Sequence, residues 1–193
     1  MRCFLAVPLA GLGLTAAQRL QADFRDRVGD VRWARPETLH LTVHFFGDVA
    51  DDRAAAALEV VAPIAESTPC FEVILDRLGS FPPHGIPRVL WLGPSGEVTS
   101  LTALALECRA ALSAASFDVD KRPYNPHCTL GRPRLRWSAG ARTAWAAAAK
   151  DHADIRFTAS RLVLYESRSA PGGAVYTAHA SLAFSRGLSR GQR

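Results

Sequence analysis

The 193-residue sequence lacks most features that mark disulfide-rich, zinc-binding or membrane-spanning proteins. Its four cysteines, Cys3, Cys70, Cys108 and Cys128, are scattered without a C-x-x-C pair. Nothing therefore predicts a disulfide framework or a zinc knuckle, and a reducing, cytoplasmic location is expected. No segment approaches the ~20 apolar residues that a membrane span requires. No low-complexity linker divides the chain, which is long enough for one core or for two similar halves.

Lysine is also scarce, because 21 of the 23 basic residues are arginine and the net charge is +5. A planar guanidinium fits phosphate well, so an anionic partner is one interpretation. A solvated basic surface is the other, and composition alone does not separate the two.

The apolar start of the chain has two interpretations. Arg2 and the residues after it could serve as a short signal peptide. However, Pro8, Gly11 and Gly13 interrupt the apolar run, and the basic region is a single arginine. A buried first strand that ends at Pro8 explains the same residues and is our prediction.

Two similar stretches stand out from the rest of the sequence. Leu39 to Gly47 reads LHLTVHFFG and alternates polar and apolar residues, which is typical of a half-buried strand. His40 and Thr42 would share one face of that strand. The same pair returns 87 residues later as His127 and Thr129, within Pro126 to Arg132. One His-x-Thr arises often by chance, but two copies with similar surroundings indicate function.

The remaining patterns predict an α+β fold with two sheet-bearing lobes. An apolar residue every fourth position predicts a helix over 15–28, and Pro63 is expected to kink or shorten a second helix. A hairpin is expected at Pro171-Gly172-Gly173. Further helices are predicted over 51–67, 101–112 and 141–149, and strands over 2–7, 31–34, 71–78, 88–92, 155–167 and 174–184. Residues 1–185 would form one two-lobed domain, and residues 186–193 a disordered basic tail.

If each lobe carries one motif strand, the two pairs meet across a cleft. Two imidazoles with pKa values near 6.5 can share an in-line displacement, one accepting a proton and the other donating one. Phosphoryl transfer also needs donors for the non-bridging oxygens, which Thr42, Thr129 and Arg132 would supply.

Two rival chemistries use the same residues. His44 would share a face with His40 and could join it in a metal site, with His84, His152 and His179 unassigned. Neither motif strand has an Asp or Glu on its polar face, which weakens that interpretation. Cys128 adjoins His127, but neighbouring strand residues point to opposite faces, so we expect a buried structural thiol.

The motifs and several flanking stretches resemble the two-histidine phosphoesterase superfamily, and more narrowly the bacterial and archaeal RNA 2′,3′-cyclic phosphodiesterases, also called 2′-5′ RNA ligases. The matching stretches follow one another in family order: RCFLAV from Arg2, VRW from Val31, ETLHLTV from Glu37, FFG from Phe45, PRVLWLG from Pro87, RPYNPHCTLGR from Arg122 and LYES from Leu164.

This resemblance implies two pseudo-symmetric lobes, each a mainly antiparallel sheet flanked by helices, around a central cleft. It implies hydrolysis of an RNA 2′,3′-cyclic phosphate end to a 2′-phosphomonoester without metal. Separately, we expect no other cofactor and a monomeric protein. His40 would be the proton donor and His127 the proton acceptor. Thr42, Thr129 and Arg132 would bind the phosphate.

Two positions complicate this expectation. Strict alternation would turn Arg132 away from the cleft unless the strand bends at Gly131. His44 stands where relatives usually carry Lys or Arg, and on the cleft side it would weaken affinity for the RNA backbone. Reverse ligation to a 2′-5′ linkage, a small cyclic phosphodiester substrate, and a noncatalytic RNA-end-binding module remain alternatives.

Overall fold

The computed structural model describes residues 1–96, 98–134, 137–149, 152–170 and 173–186. The helices are α1 (Gly11–Val28), α2 (Asp51–Ser67), α3 (Thr99–Ala114) and α4 (Ala139–Ala148), with a 3₁₀ turn at Pro36–Thr38. The strands are β1 (Arg2–Pro8), β2 (Val31–Trp33), β3 (His40–Asp48), β4 (Phe71–Leu75), β5 (Arg77–Phe81), β6 (Val89–Gly93), β7 (Cys128–Pro133), β8 (Ile155–Ala159), β9 (Arg161–Ala170) and β10 (Gly173–Ala183).

Two four-stranded antiparallel sheets form the two lobes. The first sheet has the strand order β10-β9-β1-β3 and carries the first motif on β3. The second has the order β2-β7-β6-β5 and carries the second motif at the start of β7. A separate pair, β4 with β8, completes the described strands. The predicted α+β class and the division of the motifs between two sheets are therefore confirmed.

The lobes are interleaved rather than being the first and second halves of the chain. β1 and β3 share their sheet with β9 and β10 from the far end of the sequence. β2, from the first half, pairs with β7 from the second. α2 and α3 pack with the first sheet, whereas α1 contacts α4, β2 and β8 beside the second.

The core lies behind the motif strands. Cys3 to Pro8 of β1 are all buried, because β3 and β9 flank this strand on both edges. Leu41 on β3 and Leu130 on β7 are fully buried on the side away from the cleft. Each buried leucine contributes roughly 1.5–3 kcal/mol of stability, so the rear faces anchor both strands and leave their front faces free for polar side chains.

The buried stripe of α1 differs from the predicted one. The sequence pattern pointed to Ala16, Leu20, Phe24 and Val28, but the buried residues are Gly13, Ala17, Gln21, Phe24 and Val28. A Cβ at Gly13 would lie 2.5 Å from Cβ of Phe157, so glycine permits the close approach of α1 to β8. The helix thus buries a glutamine that its apolar pattern does not reveal.

Two strands predicted as continuous are each divided. The segment 71–78 breaks at Asp76 into β4 and β5, which belong to different sheets. The segment 155–167 breaks at Ser160 into β8 and β9, which also have different partners. Two polar residues stand in succession at each break, Asp76-Arg77 and Ser160-Arg161, but the local sequence does not show which sheet the following strand joins.

The helix α2 continues through Pro63 to Ser67 and so does not end early. The antiparallel pairing of β9 and β10 confirms the predicted hairpin strands. Pro171 and Gly172 of its turn, Arg136 in the loop after β7, and residues 187–193 of the predicted tail lie outside the described residues. None of the described helices has both the length and the hydropathy needed to cross a lipid bilayer.

Candidate active site

A β-bulge on β3 controls which side chains of the first motif face the cleft. Thr42 pairs with Ala6 and His44 pairs with Leu5, so Val43 is the extra residue in the ladder. Val43 and His44 are both buried as a result, and Phe45 turns outward with 47% of its surface exposed. Strict alternation is lost at that point. His40, Thr42 and Phe45 therefore line the cleft, and His44 does not.

The second motif carries a matching bulge at the same distance from its histidine. Thr129 pairs with Trp91 and Gly131 with Leu90, so Leu130 is the extra residue. Leu130 and Gly131 are both buried, and Arg132 returns to the cleft side, where it lines the same cavity as His127. Each bulge begins three residues after its motif histidine, His40 or His127. The two motif strands therefore show the pseudo-symmetry that the family resemblance implies.

Buried groups from α1 and β2 hold the second bulge. The Gln21 side chain is 2% exposed and donates from Nε2 to the carbonyl of Leu130 at 2.9 Å and to that of Ala34 at 3.0 Å. The backbone N–H of Ala34 also donates to the Leu130 carbonyl, at 2.8 Å. A Cβ at Gly131 would lie 2.6 Å from Cγ1 of Val31, so this position needs glycine. The bend that turns Arg132 into the cleft is thus fixed from behind.

Both motif histidines are oriented by the same local contact. Nδ1 of His40 lies 2.6 Å from the carbonyl oxygen of Thr38, and Nδ1 of His127 lies 2.9 Å from that of Asn125. A carbonyl oxygen only accepts hydrogen bonds, so Nδ1 carries the proton in each ring. Nε2 is consequently the nitrogen left to exchange protons with a substrate, in both histidines.

The two imidazoles differ in their aromatic surroundings. The His40 ring lies 4.8 Å from Phe4 and 5.4 Å from Tyr176, measured between centroids. The His127 ring meets Phe81 at 4.9 Å in an edge-to-face arrangement. Aromatic rings therefore pack against His40 more extensively than against His127.

Burial and neighbouring charges lower the pKa of both histidines. Burial lowers the pKa of His40 to about 4; the hydrogen bond to Thr38 opposes this shift, and the His127 charge adds a smaller lowering effect. Burial also lowers the pKa of His127, and the Arg132 guanidinium adds to that effect. A bound phosphate would raise both pKa values, because an opposite charge favours the protonated imidazole.

The cleft between the lobes is strongly basic. It encloses about 250 Å³, and three arginines line it together with the two histidines: Arg32, Arg35 and Arg132. No Asp or Glu is among its lining residues in the part of the chain that the structure describes. Within the same ranges none of the three arginines forms an ion pair. This set of donors suits a phosphate ligand.

His44 occupies the opposite side of β3 from the cleft, contrary to the prediction. Its side chain is 3% exposed, and neither ring nitrogen has a hydrogen-bond partner among the described residues. The bulge at Val43 separates it from His40, so the two cannot join in one metal site as the metal alternative required. Among the described residues, no three His, Cys, Asp or Glu side chains are grouped as metal ligands.

The other histidines and the adjacent cysteine also lie away from the cleft lining. His84, His152 and His179 do not line it, and His179 instead lies 3.0 Å from Glu166 on the first sheet. Cys128 is fully buried, and burial raises the pKa of its thiol to about 12. Its predicted structural role therefore agrees with its position.

Sequence reasoning missed several residues that shape this site. Tyr124 donates a hydrogen bond to the carbonyl of Thr42 at 2.9 Å and so connects the approach to the second motif with the first motif strand. Arg32 and Arg35 were not separated from the other arginines. Arg32 could have been recognised from its position on the strand that precedes the first motif. For Gln21 the sequence offered only a polar residue within a helical pattern.

The model of the 2′-5′ RNA ligase superfamily matches residues 10–171, which is most of the chain and includes both motifs. The chain belongs to that superfamily. Among curated relatives, the RNA 2′,3′-cyclic phosphodiesterase of Geobacillus stearothermophilus is 31% identical over 138 residues, covering 72% of this chain and 43% of that protein. The Thermotoga maritima protein of the same name is 26% identical over 193 residues, covering 98% of this chain and 99% of that one.

The match to several relatives is partial. The alignment with the Aquifex aeolicus RNA 2′,3′-cyclic phosphodiesterase, 34% identical, covers 52% of this chain and 54% of that protein. The chain thus spans about half the length of the first curated relatives that it matches.

Solved structures with a similar fold agree with the two-lobed arrangement. The TT0787 protein of Thermus thermophilus superposes with a TM-score of 0.78 at 23% identity, covering 97% of this chain and 100% of that one. The E. coli LigT structure with 3′-AMP has a TM-score of 0.72 at 24% identity, covering 96% of this chain and 98% of that one. At these identities the likeness establishes the two-lobed fold alone.

Proposed function

We propose that this protein hydrolyses 2′,3′-cyclic phosphate ends of RNA to 2′-phosphomonoesters by paired histidine acid–base catalysis, without a metal. The observation that carries the proposal is the pair of His-x-Thr elements that face one cleft, each with Nδ1 held by a carbonyl and Nε2 available. The arginines and the absence of carboxylates among the described lining residues suit an anionic substrate.

His127 is the proton acceptor in this mechanism. Its neutral Nε2 takes a proton from water, and the oxygen of that water attacks the phosphorus. Burial, with a further contribution from the Arg132 charge, lowers the pKa of His127 and so favours the neutral ring that a base requires.

His40 is the proton donor. As the bond from phosphorus to O3′ breaks, protonated Nε2 of His40 transfers its proton to the leaving oxygen, and the phosphate stays on O2′. Burial lowers the pKa of His40 to about 4 in the free protein, and the negative charge of the bound substrate would raise it and so favour the protonated form that a donor requires. Thr42, Thr129 and Arg132 donate to the non-bridging oxygens, where negative charge accumulates.

Two further properties follow from the arrangement. A monomer suffices, because both motifs belong to one chain. The four cysteines are all free, which fits work in the reducing cytoplasm.

The test is to incubate the protein and a chelator with an oligonucleotide that ends in a 2′,3′-cyclic phosphate, and to identify the product isomer. A 2′-phosphate formed by the wild type, and lost in His40→Ala and His127→Ala, is the expected result. Both motif histidines are half-buried at the cleft, and fully buried leucines behind their strands carry the core packing, so these variants should change the free energy of unfolding by only about 1 kcal/mol. His84→Ala is the matched control, because His84 is exposed and does not line the cleft.

Other outcomes would point to the alternatives. Binding of the RNA end without turnover would indicate a noncatalytic module. Turnover only of small cyclic phosphodiesters would identify these small molecules, rather than RNA ends, as the substrate. Formation of a 2′-5′ linkage with an added 5′-hydroxyl end would show the reverse reaction. Loss of activity with chelator would contradict the proposed mechanism and indicate metal-bound hydroxide.

A further inference from the structure

The cleft contains more positive charge than the reacting phosphate requires. A 2′,3′-cyclic phosphate is a diester with one negative charge, yet Arg32, Arg35 and Arg132 all line the cavity. No carboxylate among the described lining residues balances them. One guanidinium in contact with the scissile phosphate leaves two others facing the same space.

Arg32 and Arg132 are placed directly opposite each other. They are register partners in the antiparallel β2–β7 pair, so their side chains leave the same face of the sheet. Like charges in that position repel and destabilise a sheet. Neither arginine has an acidic partner among the described residues, so anions from outside the chain would relieve the repulsion.

The two guanidiniums serve different parts of the cleft. The Arg132 charge influences both His127 and Tyr176. It adds to the burial that lowers the pKa of His127, and it opposes the burial that raises the pKa of Tyr176. Arg32 instead lies beside Gly173 at the start of β10, where a Cβ would be 3.7 Å from its Cδ and Nε and 3.9 Å from its Cζ. Arg32 thus reaches across the cleft to the start of β10 in the other lobe.

We propose that Arg32 binds a second phosphate, the phosphodiester that joins the terminal nucleotide to the one before it. This inference rests on the proposed function and narrows its substrate class to oligonucleotide ends that carry at least one internal phosphodiester. Arg132 holds the reacting phosphate, and Arg32, against Gly173, holds the neighbouring one. A nucleoside 2′,3′-cyclic monophosphate fills only the first position and leaves Arg32 without an anion.

Three substrates separate the two positions. They are a nucleoside 2′,3′-cyclic monophosphate, a dinucleotide ending in the same cyclic phosphate, and that dinucleotide with an uncharged methylphosphonate as its internal linkage. Wild-type kcat/KM should be about tenfold or more higher for the phosphodiester dinucleotide than for its methylphosphonate analogue, the effect expected of one charge-assisted contact. Arg32→Ala should remove that preference, by lowering kcat/KM on the phosphodiester dinucleotide about tenfold or more relative to its methylphosphonate analogue.

Control variants define what each result means. Arg132→Ala should lower kcat/KM on all three substrates. Arg134→Ala, an exposed neighbour outside the cleft lining, should change none of them. An equal loss on all three substrates in Arg32→Ala would assign Arg32 to the reacting phosphate and overturn the proposal, as would no loss on any of them. Failure of the proposed function itself would appear separately, as absence of wild-type turnover on every substrate.

Discussion

The buried ring of His44 predicts a loss of stability in acid that one substitution should remove. Both ring nitrogens are buried, and neither has a hydrogen-bond partner among the described residues. Burial lowers the pKa of His44 to about 4, and the Arg109 charge lowers it further, whereas the Asp120 charge and the nearby backbone of Asp118 act in the opposite direction. Protonation places an unpaired charge behind the strand that carries the first motif.

The size of the effect follows from the two pKa values of His44. In the unfolded chain its pKa is near 6.5, so the unfolded state binds the proton more tightly than the folded state with its pKa of about 4. The folded state therefore keeps its full stability above pH 6.5 and loses it as the pH falls toward 4. Between pH 7 and pH 4.5 this one residue should lower the free energy of unfolding by about 2 kcal/mol.

His44→Leu isolates this contribution in urea denaturation at pH 7 and pH 4.5. The wild type also loses stability through other groups, including His40, so the quantity to compare is the loss between the two pH values. That loss should be about 2 kcal/mol smaller in His44→Leu. At pH 7 the variant should be as stable as the wild type or more so by about 1 kcal/mol, because leucine leaves no buried nitrogen unpaired.

His84→Leu is the control, since an exposed imidazole should leave the loss in acid unchanged. If His44→Leu shows the same loss as the wild type, the reasoning is wrong. The His44 nitrogens would then have to be solvated or hydrogen-bonded in solution.

Three further predictions concern activity. The kcat/KM of the free enzyme should be bell-shaped in pH with its maximum below 6.5, because burial lowers the pKa of both His40 and His127. A maximum well above pH 7 in initial-rate measurements would contradict the assignment of both limbs to these imidazoles. Arg132→Ala should cost about 1.5–3 kcal/mol of transition-state stabilisation on a short cyclic-phosphate dinucleotide, whereas Arg134→Ala should weaken only longer RNA and flatten the salt dependence of its binding. Equal losses for the two variants on long RNA, with none on the dinucleotide, would move Arg132 to the general basic surface. Gln21→Leu should lower kcat/KM through Arg132, so a double-mutant cycle should show little further loss when it is added to Arg132→Ala. Additive losses would mean that Gln21 stabilises the fold without positioning Arg132.

The local patterns of the sequence predicted the motif strands, their cleft-facing His-Thr pairs and the buried Cys128. These features depend on side-chain alternation, which is legible over a few residues. The prediction that His44 faces the cleft was wrong, because it also relied on side-chain alternation, and the bulge at Val43 interrupts that alternation. Both bulges depend on partners distant in sequence, such as the contact of Gln21 with Leu130 across 109 residues.

The pairing of strands that lie far apart in the chain also could not be predicted from the sequence. Nothing local indicated that β4 and β5 join different sheets, or that the lobes take strands from both halves of the chain. Arg32 and Arg132 face each other only because β2 pairs with β7, and neither segment alone shows that register. The sequence thus predicted which side chains line the cleft better than it predicted the contacts that hold them in place.

The position of β1 between β3 and β9 also affects how the protein is made. β1 leaves the ribosome early and can pair at once with β3, but its other neighbour is synthesised more than 150 residues later. Until β9 has been synthesised, one edge of this strand, apolar from Cys3 to Pro8, lacks its native partner and is open to pairing with other chains. Because so many native pairings join distant segments, folding should be slow for a protein of this size. We therefore expect chaperones to bind nascent chains that end before β9. They should release the chains once β9 and β10 have been synthesised.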